Sequence, residues 1–227
     1  MNQSSANGRE RILDAAERLM AARGIRGVSL REINAAAAQR NASGVQYHFG
    51  NRAGLVAAVL QRHMQRADAA RNTLIDALEA QRRTAPADVV GAIVAPLAEA
   101  LASASGRAYL QLLDQMMDRP EIAALDVGSG LNRSLDRAAR LLAGALRHLP
   151  AALRASRREL CTAFLLRSLA DRARALESRA PHRGLGDAAF MANLIDVLVV
   201  VLTAPTSAAT RRTLRAPRRK RAKAASG

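Results

Sequence analysis

Apolar residues recur every three or four positions along most of this chain, which is the spacing of one face of an α-helix. The first such run covers residues 9–20 and stops before a glycine. Ser29 and Glu32 then match the capping box, in which two side chains each satisfy a free backbone N–H group at the start of a helix. Asn41 or Ser43 can begin a further short helix. The pattern therefore predicts three helices near the start of the chain, the last two joined by a tight turn.

Longer helical segments follow these three. The predicted ranges are 52–81, 86–104, 106–117, 131–148, 150–179 and 187–203, and proline or glycine separates most of them. Hydrophobic residues make up 49% of the chain and aromatic residues 2%, so the core must consist of leucine, alanine, valine and isoleucine. No segment shows the alternation of polar and apolar residues that is typical of a half-buried strand. We therefore expect an all-α protein.

The order of motifs in the first quarter of the chain resembles that of the TetR family of bacterial transcriptional repressors. The matching segments are Arg9 to Ala16, Gly24, Ser29 to Ile33, Tyr47 to Phe49 and Arg52 to Leu55. The chain departs from the usual pattern of the family with Asn34 after the isoleucine, Ala38 at a turn glycine and Arg52 for a lysine. The resemblance implies a three-helix helix-turn-helix DNA-binding domain at 1–51 and a helical ligand-binding and dimerisation domain at 52–206.

The short polar helix that ends near Phe49 is the predicted recognition helix. Ser43 and Gln46 lie three positions apart on its outer face, and glutamine can form a bidentate pair with adenine. The turn has one extra residue compared with the family pattern, so either Gln46 or Tyr47 could make the family's phosphate contact. We predict that Ser43 and Gln46 contact bases. The predicted phosphate contacts are Tyr47, His48 and Arg52. The full set of predicted DNA contacts is Ser29, Arg31, Arg40, Asn41, Ser43, Gly44, Gln46, Tyr47, His48 and Arg52.

The last two long helices are candidates for contact with a second subunit. Residues 187–203 are apolar around most of the helix, and such a helix must be buried. Either the rest of the subunit covers it, or two copies pair through it; the family resemblance implies pairing. The predicted interface residues are Phe164, Leu165, Leu169, Leu176, Met191, Leu194, Ile195, Leu198 and Leu202. A two-fold homodimer would present two recognition helices to a pseudo-palindromic double-stranded operator.

The resemblance also implies a small-molecule effector site among the central helices. The candidate lining residues are Tyr109, Leu112, Leu113, Met116 and Met117, since methionine suits irregular cavities. The same spacing fits an ordinary core equally well. Because polar residues are sparse in this segment, we expect an apolar or amphipathic effector.

Enzyme chemistry has no recognisable basis in this sequence. The four histidines are widely separated, and the chain has no HExxH, no glycine-rich phosphate loop and no GxSxG motif. We therefore predict no catalytic residue, no metal and no cofactor. The single Cys161 fits a reducing compartment, and the longest apolar run is too short to span a membrane. The sequence predicts a cytoplasmic, nucleoid-associated bacterial protein that makes no membrane contact.

Half of the net charge of +16 lies at the end of the chain. Residues 211–227 carry eight lysine and arginine residues and no acidic residue. We expect 207–227 to be a disordered basic tail, which either binds phosphates or is simply solvated. The charge also supports an alternative function, an architectural DNA-binding protein with little sequence preference. A high ratio of specific to non-specific affinity would distinguish a sequence-specific repressor from such a protein.

Overall fold

The computed structural model describes residues 3–38, 43–117, 133–178 and 184–215, and within these ranges the backbone is helical apart from turns. The described helices are α1 (Gln3–Arg23), α2 (Leu30–Ala36), α3 (Gly44–Phe49), α4 (Arg52–Ala80), α5 (Pro86–Glu99), α6 (Ala104–Met117), α7 (Arg133–Leu142), α8 (Ala151–Glu177), α9 (Asp187–Thr203) and α10 (Ala208–Arg215). The predicted all-α fold class is confirmed. We call α1 to α3 with the start of α4 the head, and the remaining helices the body.

Local signals in the sequence begin and end the helices of the head. The predicted capping box is present: the Glu32 N–H donates to Ser29 Oγ at 3.1 Å, and the Ser29 N–H donates to Glu32 Oε2 at 2.7 Å. Gly24 follows α1 with φ +85°, a left-handed conformation that glycine adopts without steric cost. Ala38 follows α2 with φ +50°, at the position where the family pattern has a turn glycine. The turn therefore keeps its left-handed backbone although the glycine is absent.

The body differs from the predicted ranges at two boundaries. Residues 86–104 do not form one helix, because α5 ends at Glu99 and a 3₁₀ turn, Ala100–Ala102, follows it. Ser103 Oγ then accepts a hydrogen bond from the Gly106 N–H at 2.9 Å, which caps the start of α6. The predicted helix at 131–148 is also shorter, since α7 ends at Leu142 and turns lead on to Leu149.

Helix α4 connects the head to the far end of the body. At a rise of 1.5 Å per residue its 29 residues are about 43 Å long. Arg52, its first residue, lies in the head, whereas Ile75 belongs to a separate buried cluster with residues of α5 and α7. Leu202, near the end of α9, packs against this same cluster. The end of α9 is therefore distal to the head, at the far end of the molecule.

The expected disordered tail is wrong for its first part. Residues 208–215 form α10, and Ser207 Oγ accepts from the Thr210 N–H at 3.2 Å at its start. Alanine, arginine and leucine, which have high helix propensity, fill most of this segment. Local capping and propensity thus outweigh the repulsion between the arginines. Residues 216–227 lie outside the described residues.

A membrane span is not evident in the described residues. No single helix among them is long and apolar enough to cross a bilayer, while the bent pair of α9 with α10 meets the criterion by length and composition alone.

Candidate nucleic-acid interface

A continuous apolar core holds the head together. Ile12 and Leu13 of α1, Ile33 of α2, Val45 of α3 and Leu55 of α4 are all buried to within about one per cent. Each such side chain contributes roughly 1.5–3 kcal/mol on burial. Helix α3 has only six residues and could not persist alone in water. Its position is therefore set by packing against α1 and α4.

The outer face of α3 is open to solvent. Gln46 is exposed, and the side chain of Tyr47 is 79% exposed. His48 is half-buried, with its ring centroid 4.9 Å from that of Tyr47 in an edge-on arrangement. Phe49 packs inward against the core, and the guanidinium of Arg9 lies 5.3 Å from its ring centroid. The helix thus presents a glutamine and a tyrosine outward while its other face anchors it.

The side chain of Asn34 caps the start of α3, although Asn34 lies eleven residues before Val45 in the sequence. Its side chain is 3% exposed, and its Oδ1 accepts a hydrogen bond from the Val45 N–H at 3.1 Å. Ser43, one of the two expected start residues, occupies the N-cap position but its side chain does not cap the helix. The other, Asn41, lies outside the described residues. Asn34 departs from the family pattern, and this departure could have indicated its capping role, because a buried polar side chain requires a hydrogen-bond partner.

Several predicted DNA contacts have a defined place in the head. Arg31 and Ser43 are exposed, whereas Ser29 is engaged with Glu32 in the capping box. Arg52 is half-buried, and its Nη1 donates to the Ile25 carbonyl at 2.8 Å. One guanidinium nitrogen is therefore committed to the turn between α1 and α2.

Gly44 is buried at the start of α3, where it packs within the head, and its contact with DNA stays a prediction. Arg40 lies outside the described residues, as does Asn41.

An ion pair fixes the start of α2. Hydrogen bonds from the backbone and hydroxyl of Ser29, with Arg23 at 2.8 Å, lower the pKa of Glu32 to about 2. The carboxylate therefore remains ionised at neutral pH, beside the helix N-terminus where negative charge is favoured.

A buried polar network joins the head to the body, and no pattern in the sequence predicts it. Glu17 of α1 is 2% exposed and accepts hydrogen bonds from Arg62 and from His63 Nε2, the latter at 2.8 Å. Burial alone would raise the pKa of Glu17, but hydrogen bonds from His63, Ser105 and Arg62 outweigh it and hold the pKa below 4.5. The ring of His63 in turn stacks on that of Tyr109 at 4.5 Å. Helices α1, α4 and α6 are thereby linked through one carboxylate.

A half-open cavity of about 290 Å³ lies against this network, between α4, α5 and α6. Its polar lining residues are His63, Arg66, Glu99, Ser103, Ser105 and Tyr109. Burial raises the pKa of Tyr109 to about 12, so its hydroxyl stays protonated. This cavity is more polar than the effector site that the sequence analysis expects.

Of the predicted effector residues, Tyr109 alone lines that cavity. Leu112 is fully buried in the core, and Leu113 and Met116 pack against the same core. Met117 is 47% exposed at the end of α6. The helical spacing of these residues thus reflects ordinary core packing for three of the five.

The predicted dimer residues divide into two groups. Leu165, Leu169, Leu194 and Leu198 are buried within one subunit, and Met191, Ile195 and Leu202 are partly buried against its cores. Within the subunit α8 packs on α6, and α9 packs on both α5 and α8. The role of these residues in a dimer stays a prediction. Phe164 and Leu176 remain exposed, at 46% and 42%. The sequence analysis missed the exposed Leu160, Val200 and Val201, although Leu160 and Phe164 have the four-residue spacing of one helix face.

The head thus has the arrangement of a helix-turn-helix DNA-binding domain, with a supported recognition helix whose polar face is open. Residues 12–59 match the family model of bacterial regulatory proteins, tetR family, and the predicted resemblance to that family is confirmed. The matched residues cover most of the head, so the similarity to this family concerns the helix-turn-helix DNA-binding domain.

Comparison with whole proteins adds little to this assignment. No curated protein matches the chain. The crystal structure of a provisionally assigned TetR-family transcriptional regulator from Rhodococcus sp. is similar over 87% of this chain and 99% of that chain, with 17% sequence identity and a TM-score of 0.46. The similarity to the family therefore rests on residues 12–59.

Proposed function

We propose that this protein is a transcriptional repressor of the TetR family, which binds a pseudo-palindromic operator as a homodimer and is released from it by a small-molecule effector. The observation that carries the proposal is the outer face of α3, where Gln46 and Tyr47 are exposed on a helix whose other face is locked into the core. Side chains that read bases must project from a rigid support, because an error of about 1 Å weakens directional hydrogen bonds. The proposal includes no catalytic step and no metal or cofactor, and it places the protein with bacterial DNA in the cytoplasm.

The exposed residues of α3 suit two kinds of contact. Gln46 offers an amide that can pair with an adenine edge in the major groove, where each base pair is distinguishable. Tyr47 and His48 follow it at the end of the same helix, and their polar atoms suit phosphate oxygens, which position a protein without specifying sequence. Ser43, exposed at the start of α3, completes the proposed base-reading face.

An exposed apolar surface on α8 and α9 supports the homodimer. We call Leu160, Phe164, Val200 and Val201 the α8–α9 surface; they are 61%, 46%, 64% and 36% exposed. Large apolar residues grouped on two adjacent helices are typical of an interface. A second copy of the same surface is the proposed partner, since a two-fold dimer matches the symmetry of a pseudo-palindromic operator.

The cavity beside His63 supports effector control. A ligand there would contact His63 and Tyr109, and His63 directly holds Glu17 of the head. A ligand can shift an equilibrium only if it binds one state better than the other. We propose that it does so by displacing His63 from Glu17, with α4 as the lever that changes the spacing of the two heads. The lining favours a polar or amphipathic molecule with hydrogen-bonding groups.

Selection of DNA from a random pool tests the proposal. The purified protein should enrich one sequence with two inverted half-sites, whose centres are separated by about one helical turn or a multiple of it. Enrichment of a single half-site would remove the dimer from the proposal. Recovery of unselected sequences would instead favour an architectural DNA-binding protein.

A further inference from the structure

We infer that Gln115 of α6 is a positioning residue for DNA binding, because it holds the turn between α1 and α2 and, through this turn, Arg52 of α4. Gln115 belongs to the body, whereas the turn and Arg52 belong to the head. The inference rests on the proposed function in one respect, namely that Arg52 contacts a phosphate of the bound duplex. Gln115 acts through Arg52 and not by a contact of its own with DNA.

The turn at residues 24–27 leaves two of its backbone groups without a partner inside the turn. The Gly27 N–H donates to the Gly24 carbonyl at 3.0 Å, which is the one hydrogen bond that closes a β-turn. The N–H and the carbonyl of Ile25, the second residue of the turn, take no part in it. Ile25 is 1% exposed, and a buried backbone group without a hydrogen bond is unfavourable. Both groups therefore need partners from other parts of the chain.

Two side chains supply these partners, one from the body and one from α4. Gln115 Oε1 accepts from the Ile25 N–H at 3.1 Å, across a separation of 90 residues. Arg52 Nη1 donates to the Ile25 carbonyl at 2.8 Å. Gln115 Nε2 also lies 3.5 Å from the carbonyl of Ala21, in the last turn of α1. The peptide groups of Ile25 thus join α6 to the first residue of α4.

Gln115 projects from a part of α6 that the body holds in place. Asp114, its neighbour in the sequence, forms an ion pair with Arg174 of α8 at 3.3 Å. One turn earlier, Gln111 Nε2 donates to Glu177 of α8 at 2.9 Å. Because α6 is fixed on α8 by these contacts, the amide of Gln115 is a defined support for the turn of the head.

Arg52 meets DNA with its side chain already ordered by this arrangement. A guanidinium carries five N–H donors in a rigid fork, so the bond to Ile25 leaves donors for a phosphate oxygen. A side chain that is held before binding loses less conformational entropy when it binds. Without Gln115, the Ile25 N–H would be left unpaired, and the turn would shift toward water together with the carbonyl that holds Arg52. The phosphate contact would weaken as a result.

The same contact makes DNA binding depend on the position of α6. Tyr109, which lines the cavity beside His63, precedes Gln115 by six residues, or about 9 Å along the helix. A displacement of α6 at the cavity would therefore reach Arg52 through Gln115. This route is separate from the hydrogen bond between Glu17 and His63, which joins α1 to α4.

A double-mutant cycle tests the inference. The affinity for DNA is measured for the wild type, Gln115→Leu, Arg52→Met and the double variant, against the selected operator and against a shuffled duplex of equal length. Gln115→Leu should weaken binding to both duplexes by about two- to tenfold, because phosphate contacts carry no sequence information. Arg52→Met should weaken binding at least as much and lower the slope of log affinity against log salt by about one. Adding Gln115→Leu to Arg52→Met should change the affinity by less than about twofold.

The matched control is Gln111→Leu. It makes the same substitution four residues earlier on α6, where the amide bonds to Glu177 inside the body, and it should bind both duplexes as the wild type does. Thermal melting followed by circular dichroism checks that every variant is folded at the assay temperature. If Gln115→Leu does not fold, Gln115→Asn takes its place in the cycle, because the shorter side chain does not reach the Ile25 N–H.

Two results would overturn the inference. One is unchanged DNA affinity in Gln115→Leu or in Arg52→Met. The other is additive losses in the double variant, since additivity would mean that Gln115 supports the head without acting through Arg52. Equal binding of the two duplexes by the wild type would contradict the proposed sequence-specific repressor instead, and the cycle would still decide the role of Gln115. A wild type that binds neither duplex would contradict both.

Discussion

Ala38 occupies a backbone conformation that normally requires glycine. At φ +50° its Cβ approaches the following carbonyl, which costs roughly 1–2 kcal/mol for an L-residue. Glycine removes this strain but loses more entropy on folding. We therefore expect Ala38→Gly to raise the free energy of unfolding by about 1 kcal/mol in urea denaturation. Ala35→Gly, inside α2, is the matched control and should lower it by about 0.5–1 kcal/mol. Destabilisation by both variants would contradict the strain at Ala38.

Gln46 is the residue on which base recognition depends in this account. Gln46→Ala should cost about 1–3 kcal/mol of binding to the selected operator and relax preference at one base position. Because Gln46 is exposed, the variant should keep the folding stability of the wild type. Tyr47→Phe serves as the comparison, because loss of a phosphate contact should weaken binding to all sequences alike. Binding measured against a panel of single-base operator variants distinguishes the two patterns. Uniform weakening by Gln46→Ala would assign Gln46 to the backbone.

At the scale of helices, the Glu17 carboxylate joins α1 to α4 through its hydrogen bonds with Arg62 and His63. Because the pKa of Glu17 is lowered on folding, its contribution to stability is present above about 4.5 and is lost as pH falls through the folded-state pKa. Glu17→Gln has no such ionisation. In unfolding measurements from pH 7 to pH 3, the stability of the wild type should exceed that of the variant most at neutral pH. The difference should narrow below the ordinary pKa, and a difference that is constant down to pH 3 would contradict the role of the ionised carboxylate.

The helices themselves were largely predictable, because their signals are local. The capping box at Ser29 and the order of the long helices follow from residues only a few positions apart. The cap that Asn34 provides to Val45 spans eleven residues and depends on how α2 and α3 pack. The hydrogen bond between Glu17 and His63 joins residues 46 positions apart, and no periodic pattern in the sequence indicates it. Periodicity indicates that Leu198 is buried; it does not indicate whether the same subunit or a second copy covers it.

At the scale of the whole molecule, the α8–α9 surface is the proposed dimer contact. Phe164→Glu would place a carboxylate in a dry apolar interface, which is strongly unfavourable. Because Phe164 is 46% exposed in the single subunit, the fold should survive the change. We expect sedimentation at micromolar concentration to show a dimer for the wild type and a monomer for the variant. The control Leu135→Glu alters an exposed leucine of α7 and should leave the dimer intact. A monomeric wild type would contradict the proposed assembly.

Sequence-specific binding is the central claim of this account, and the ratio of two affinities tests it most directly. The full-length protein is titrated at one fixed, physiological salt concentration against its selected operator and against a duplex of the same length and composition in shuffled order. The account predicts that the operator binds about a thousandfold or more tightly. Equal affinity for both duplexes, with a steep dependence on salt, would contradict it and would identify a protein that binds DNA through charge alone.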